Sequence, residues 1–96
     1  MNIDLKKFGF VLTSRQSGKE AYAAYLPTLG QVSEGEDVIV DFSDVYSFSP
    51  SWGDEFLTPL LEKFGERLVL RRSVNPSVAL TVETLEEILG KKFRVE

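Results

Sequence analysis

Hydrophobic and polar positions change their period several times along the chain, and each change predicts an element. Ile3 and Leu5 alternate with polar neighbours until Gly9 interrupts the run, which predicts a short strand followed by a loop. The apolar residues from Phe10 to Leu12 predict an extra hairpin strand. From Thr13 the chain turns polar, and Ser17 and Glu20 have the spacing of a capping box, with Ser14 as an alternative helix start. Ala21, Tyr25 and Leu29, flanked by Tyr22 and Leu26, then form one apolar stripe, and Pro27 ends or kinks the last turn.

Residues 30–37 are rich in Gly, Ser and acid and read as a loop. Residues 37–42 follow as a short apolar run whose consecutive β-branched Val38, Ile39 and Val40 predict a central strand of a parallel sheet, covered on both faces. After a hydroxyl-rich connection over residues 43–51, a second helix is predicted from Trp52. Its stripe is Phe56, Leu57, Leu60, Leu61 and Phe64, with a kink at Pro59 and Gly65 at the C-cap. Residues 67–71 predict a strand with Leu68 and Leu70 on one face and Val69 on the other. Asn75 and Pro76 supply a cap and a first-turn proline for a third helix, whose stripe Val78, Val82, Leu85 and Leu89 runs up to Gly90. The order is β-α-β-α-β-α over a single domain, residues 1–96, without internal repeats. It predicts a small layered α/β fold with a mainly parallel three- to four-stranded sheet, too small to exclude a partly open face.

Composition narrows the chemistry. The 96 residues contain neither cysteine nor histidine, which removes thiolate and imidazole nucleophiles and bases and the usual zinc ligands. No catalytic residue, cofactor or metal is therefore expected, and the chain reads as a binding module and not as an enzyme. The net charge of -4 argues against nucleic-acid binding, with Arg71-Arg72 and Lys91-Lys92 as the late basic pairs. No apolar run is long enough to span a bilayer and no signal-peptide pattern opens the chain, so cytoplasmic residence without membrane association is expected. Gly18-Lys19 makes no phosphate loop, because Thr13 stands where a Walker glycine is needed.

The segment from Val38 through Asp41, Ser43, Val45 and Phe48 to the serines at a helix start resembles the STAS fold of bacterial anti-sigma-factor antagonists. It is more similar still to a STAS-like family of unknown function, on Thr13-Ser14-Arg15, Asp41-Phe42, Val45 and Asp54-Glu55-Phe56. The resemblance implies a regulatory module that binds a protein partner, a histidine-kinase-like ATPase being the implied kind, through residues 43–58. In the antagonists a serine at this corner is phosphorylated to switch partner binding. The gapless alignment places Ser49 at the preceding aspartate, Pro50 at the acceptor and Ser51 at the following serine, so phosphate here would fall on Ser49 or Ser51.

The candidate partner-binding residues are Ser14, Arg15, Ser49, Ser51, Trp52, Asp54 and Glu55. Each also has an ordinary structural role. Ser49 before Pro50, and Ser51 before Asp54, suit helix caps, and local chemistry favours capping over phosphorylation. Trp52 reads equally as a partner contact at the carboxyl edge of the sheet and as a core residue. Arg15 suits a surface ion pair. Asp54 and Glu55, about 100° apart on a helix, are expected to diverge and not to converge on one ion. An enzyme using carboxylates and Arg15 on a small phosphorylated or nucleotide ligand, a domain that only binds such a ligand, and self-association through an edge strand or open sheet face complete the alternatives.

Overall fold

The computed structural model describes residues 1–96. Strands β1 (Asn2–Asp4), β3 (Val38–Asp41), β5 (Leu68–Leu70) and β6 (Arg94–Val95) form one sheet in the order β1-β3-β5-β6, every pairing parallel. Parallel neighbours need long crossovers, and helices α1 (Arg15–Leu29), α2 (Pro50–Phe64) and α3 (Pro76–Leu89) supply them. The fold is the expected small layered α/β arrangement, and within this sheet β6 is the strand that the sequence pattern did not mark.

Alternation along the strands decides which face is covered. Ile3, Val38, Val40, Leu68 and Leu70 point into one core with the buried residues of all three helices. The opposite face carries the row Asn2, Ile39, Val69 and Arg94 in register. Val69 is buried there among its strand neighbours, yet lies outside the core cluster, and Ile39 is half-buried. The expectation that the central strand is covered on both faces is thus corrected. All three helices lie on one side, and the β-branched run owes its burial on the other to adjacent strands and the Arg94 side chain, which reaches Asp37 and the Glu66 carbonyl.

The segment after β1 also departs from expectation. A 3₁₀ turn at Leu5–Phe8, ending at Gly9 with φ 131°, lifts the chain out of the main sheet into β2 (Val11–Leu12). This strand pairs parallel with β4 (Ser47–Phe48), forming a two-stranded ribbon and not a hairpin. Its partner arrives only after α1 and β3. The other edge of β4 is closed by side chains of α3. The Ser77 hydroxyl accepts from the Phe48 amide at 2.8 Å and donates to its carbonyl at 3.0 Å, and buried Thr81 donates to the same carbonyl. Asn75 Nδ2 donates to the Val45 and Tyr46 carbonyls. A strand of two residues persists because each backbone group has a partner.

The ribbon and the three helices close over an aromatic centre. Trp52 is fully buried, stacked on Phe56 at 5.0 Å between ring centroids and set edge-on to Phe48 at 5.8 Å. Phe8 joins from the 3₁₀ turn, 5.2 Å from Phe56. Such pairs add roughly 0.5–1.5 kcal/mol each beyond their burial.

Candidate functional site

The parallel ribbon delivers both of its strands to helix starts. β2 runs through Thr13 and Ser14 into α1, and β4 runs through Ser49 into α2, so the two N-termini stand side by side on one rim. Each is capped as its sequence dictates: the Ser14 hydroxyl accepts from the Ser17 amide at 3.1 Å, and the Ser49 hydroxyl from the Trp52 amide at 3.3 Å, with Pro50 at the first turn. Helix α1 therefore begins at the alternative position, and the Ser17-to-Glu20 capping box does not form. Glu20 instead accepts from Gln16, and Ser17 is engaged elsewhere. Ser51 lies within the first turn of α2, not at its cap, and its hydroxyl has no protein partner.

Three ties cross from one helix start to the other. Ser49 Oγ donates to the Thr13 carbonyl at 2.8 Å. Trp52 Nε1 donates to Ser17 Oγ at 3.2 Å. Arg15 Nη1 donates to Asp54 Oδ2 at 2.9 Å and to Glu55 Oε1 at 3.0 Å. Gly18 makes this proximity feasible, because a β-carbon there would lie 2.7 Å from the Trp52 carbonyl oxygen.

Trp52 is the correction that matters most. It does not contact a partner, because its ring lies beneath α1 with no exposed surface and its one polar atom is satisfied internally. A second correction concerns Asp54 and Glu55. Their side chains leave the helix about 100° apart, yet both carboxylates reach one guanidinium nitrogen that approaches from α1. Asp54 spends its remaining oxygen on the Thr58 hydroxyl at 2.9 Å. The hydrogen bond from Arg15 holds the Asp54 carboxyl below the usual carboxylate range, against partial burial that pushes it upward, with Thr58 adding to the lowering. The same bonds, first that to Asp54, raise the Arg15 pKa. Asp41, at the carboxyl end of β3, is also held low, chiefly by hydrogen bonds from Ser43.

The structure thus gathers Ser14, Arg15, Ser49, Asp54 and Glu55 into one cross-tied rim and places Ser51 beside it, while Trp52 forms its underside. No group of three or more metal-ligating side chains forms anywhere. Sequence reasoning missed the apolar part of this surface. Tyr46 is 74% exposed and Phe10 53%, with ring centroids 5.8 Å apart, and exposed Val11 stands beside them on the ribbon. The signal was present in strand alternation: with Leu12 and Phe48 turned inward, Val11 must face out.

The profile of a STAS-like domain family of unknown function matches residues 22–78, more than half of the chain. The chain belongs to this STAS-like family. The match spans Asp41-Phe42, Val45 and Asp54-Glu55-Phe56 and begins after Ser14-Arg15, which the fold joins to it through the Arg15 ion pairs. No curated protein and no solved structure matches the chain.

Proposed function

We propose that this STAS-like domain is a regulatory module that binds a protein partner and performs no chemistry of its own. Its contact surface is the rim of Ser14, Arg15, Ser49, Ser51, Asp54 and Glu55 together with the exposed ribbon residues Phe10, Val11 and Tyr46. The observation that carries this reading is that one ribbon exposes Phe10, Val11 and Tyr46 and runs at its carboxyl end into a charged cluster held by three cross-ties. Protein interfaces concentrate their energy in aromatic anchors beside oriented charges. Tyr46 takes the anchoring role that the sequence suggested for Trp52. A chain without His or Cys also lacks the commonest catalytic side chains. The family resemblance favours a histidine-kinase-like ATPase as the partner and cytoplasmic residence for the pair.

The test is titration calorimetry of the domain against histidine-kinase-like ATPases of its own genome. Binding that weakens about tenfold or more in Tyr46→Ala, and again in Arg15→Ala, is the expected result. Binding unaffected by either substitution would refute the surface, and no binding to any such ATPase would refute the partner class.

A second reading is supported by Ser51. Its half-buried hydroxyl sits in the first turn of α2 without a partner, where a phosphate gains from the helix dipole, whereas the Ser49 hydroxyl is committed to both Thr13 and Trp52. Phosphate transfer from the same ATPase would therefore favour Ser51 over Ser49. Intact-mass analysis after incubation with kinase and ATP decides it, and an unchanged mass ends this version.

A further inference from the structure

The carboxyl end of the main sheet carries a second concave surface that the rim does not use. Two adjoining clefts of about 320 and 480 Å³ open there, with Phe42, Arg72 and Ser73 in the wall between them. Their place, beyond the ends of β3 and β5, is where parallel α/β sheets hold ligands, because the strands stop and the following loops splay apart. The first cleft has an apolar floor built from Leu70, Val78, Val82 and Val95.

Charge gives the clefts a direction. Of the arginines, Arg15, Arg67 and Arg94 donate to protein acceptors, whereas the side chains of Arg71 and Arg72 form no hydrogen bond or ion pair. Both line the first cleft; alternation continued past the end of β5 puts Arg72 on the side of Leu68 and Leu70, over the apolar floor, while the charge of Arg71 acts on Asp41. Acids stand at both outer ends, Asp41 and Asp44 in the second cleft and Glu83 and Glu86 in the first. Asp44 is paired with Lys6 and Glu86 with Lys92, and the carboxylates disfavour a dianion more than a monoanion. The unpaired Arg72 guanidinium over an aliphatic floor, with carboxylates in the same lining, matches a single anionic head on an apolar body.

We propose that this double cleft binds a small monocarboxylate with an aromatic or aliphatic body, its head on the Arg72 guanidinium and its body along Phe42, Val78 and Val82. A planar carboxylate offers the two-oxygen geometry that guanidinium recognises best. The proposal is independent of the rim, since neither Arg72 nor the α3 residues lining the first cleft belong to the starts of α1 and α2.

The experiment is amide-resolved NMR titration of the whole chain with 4-phenylbutyrate, beside acetate, 4-phenylbutyramide and adenosine monophosphate. Phenylbutyrate is expected to saturate at low-millimolar or lower concentration, shifting amides of residues 42–45, 71–75 and 78–86. The other three are expected to bind at least about tenfold more weakly, lacking the body, the charge and the single charge respectively. Arg72→Gln should weaken phenylbutyrate binding at least about tenfold. The strand end should survive, because the Arg72 amide still donates to the Glu96 carbonyl. Ala79→Phe, at an exposed helical position lining the first cleft, should block the body without touching the head. The proposal is overturned by no saturable shift, by shifts outside the clefts, by unchanged binding in Arg72→Gln, or by adenosine monophosphate binding as tightly as the carboxylate.

Discussion

Gly18→Ala is the substitution that asks most of the structure, because it adds one methyl group where α1 crosses the first turn of α2. The new β-carbon would stand 2.7 Å from the Trp52 carbonyl oxygen and 3.0 Å from its α-carbon, and both are backbone atoms that no rotamer change can move. Restoring an ordinary contact of 3.4 Å requires the helices to part by about 0.7 Å. A shift of that size would stretch the Trp52 Nε1 to Ser17 bond from 3.2 Å beyond hydrogen-bonding range and lengthen the Arg15 contacts. Overpacking a closed contact costs about 1–3 kcal/mol. Alanine returns about 1 kcal/mol through its higher helix propensity. The net loss should reach at most about 2 kcal/mol, a fall in melting temperature of up to roughly 8–16 °C for a domain of this size.

Urea and thermal unfolding measure the loss, and the emission of the single tryptophan reports its site, since an indole leaving its burial and its partner shifts to longer wavelength. Gly30→Ala is the control. It changes the same residue type at the other end of α1, where φ is −65° and the nearest atom to a new β-carbon is 3.4 Å away. That variant should be neutral or gain about 0.4–1 kcal/mol by restricting the unfolded chain. If Gly18→Ala matches the control in stability and emission, the close approach does not set the spacing of the two helix starts.

Three further outcomes follow from the same geometry. Trp52→Ala should cost about 3–5 kcal/mol by emptying the aromatic centre, a large share of the stability of a small domain; denaturant titration checks this, and the variant is unsuitable as a probe of binding. Ser49→Ala should cost about 1 kcal/mol through the lost cap of α2, read as a lower urea midpoint with unchanged slope. Asp54 has a depressed pKa in the folded state, so its contribution is present above the unfolded carboxylate value near 4 and is lost as pH falls through the lower folded value. Asp54→Asn should accordingly flatten the acid limb of the stability profile below about pH 4, measured by urea unfolding across pH 3–7.

Much of this arrangement was legible because its causes are local. The caps Ser49-Pro50 and Asn75-Pro76, the stripe of α3, and the split of Leu68 and Leu70 from Val69 each follow from a few neighbouring residues, and the structure keeps them. The misreadings arose where distant contacts decide. Ser14 and Ser17 are both competent caps, and what separates them is the Trp52 indole, which claims the Ser17 hydroxyl from 35 positions away. Residues 10–12 looked like half of a hairpin because sequence shows an apolar run but not its partner, which lies beyond α1 and β3. Trp52 was misplaced by two residues of helix boundary. With α2 started at Pro50, Trp52 joins Phe56 and Leu60 at four-residue spacing on the buried stripe, whereas a start at Trp52 itself leaves it looking like loop.

That shift also changes how the rim would work. With the tryptophan on the surface, a partner could bind by capturing a mobile side chain; buried, it braces α1 against α2 and fixes the outward residues relative to one another. Recognition by a braced surface depends on positions set before the partner arrives, which lowers the entropy cost of association. It also makes the two serines unequal. Adding phosphate at Ser49 would require breaking its bonds to Thr13 and Trp52, and so loosening the brace, while Ser51 could accept charge with every cross-tie intact. Phosphate at Ser49 would therefore change the shape of the rim as well as its charge, and phosphate at Ser51 would change its charge alone.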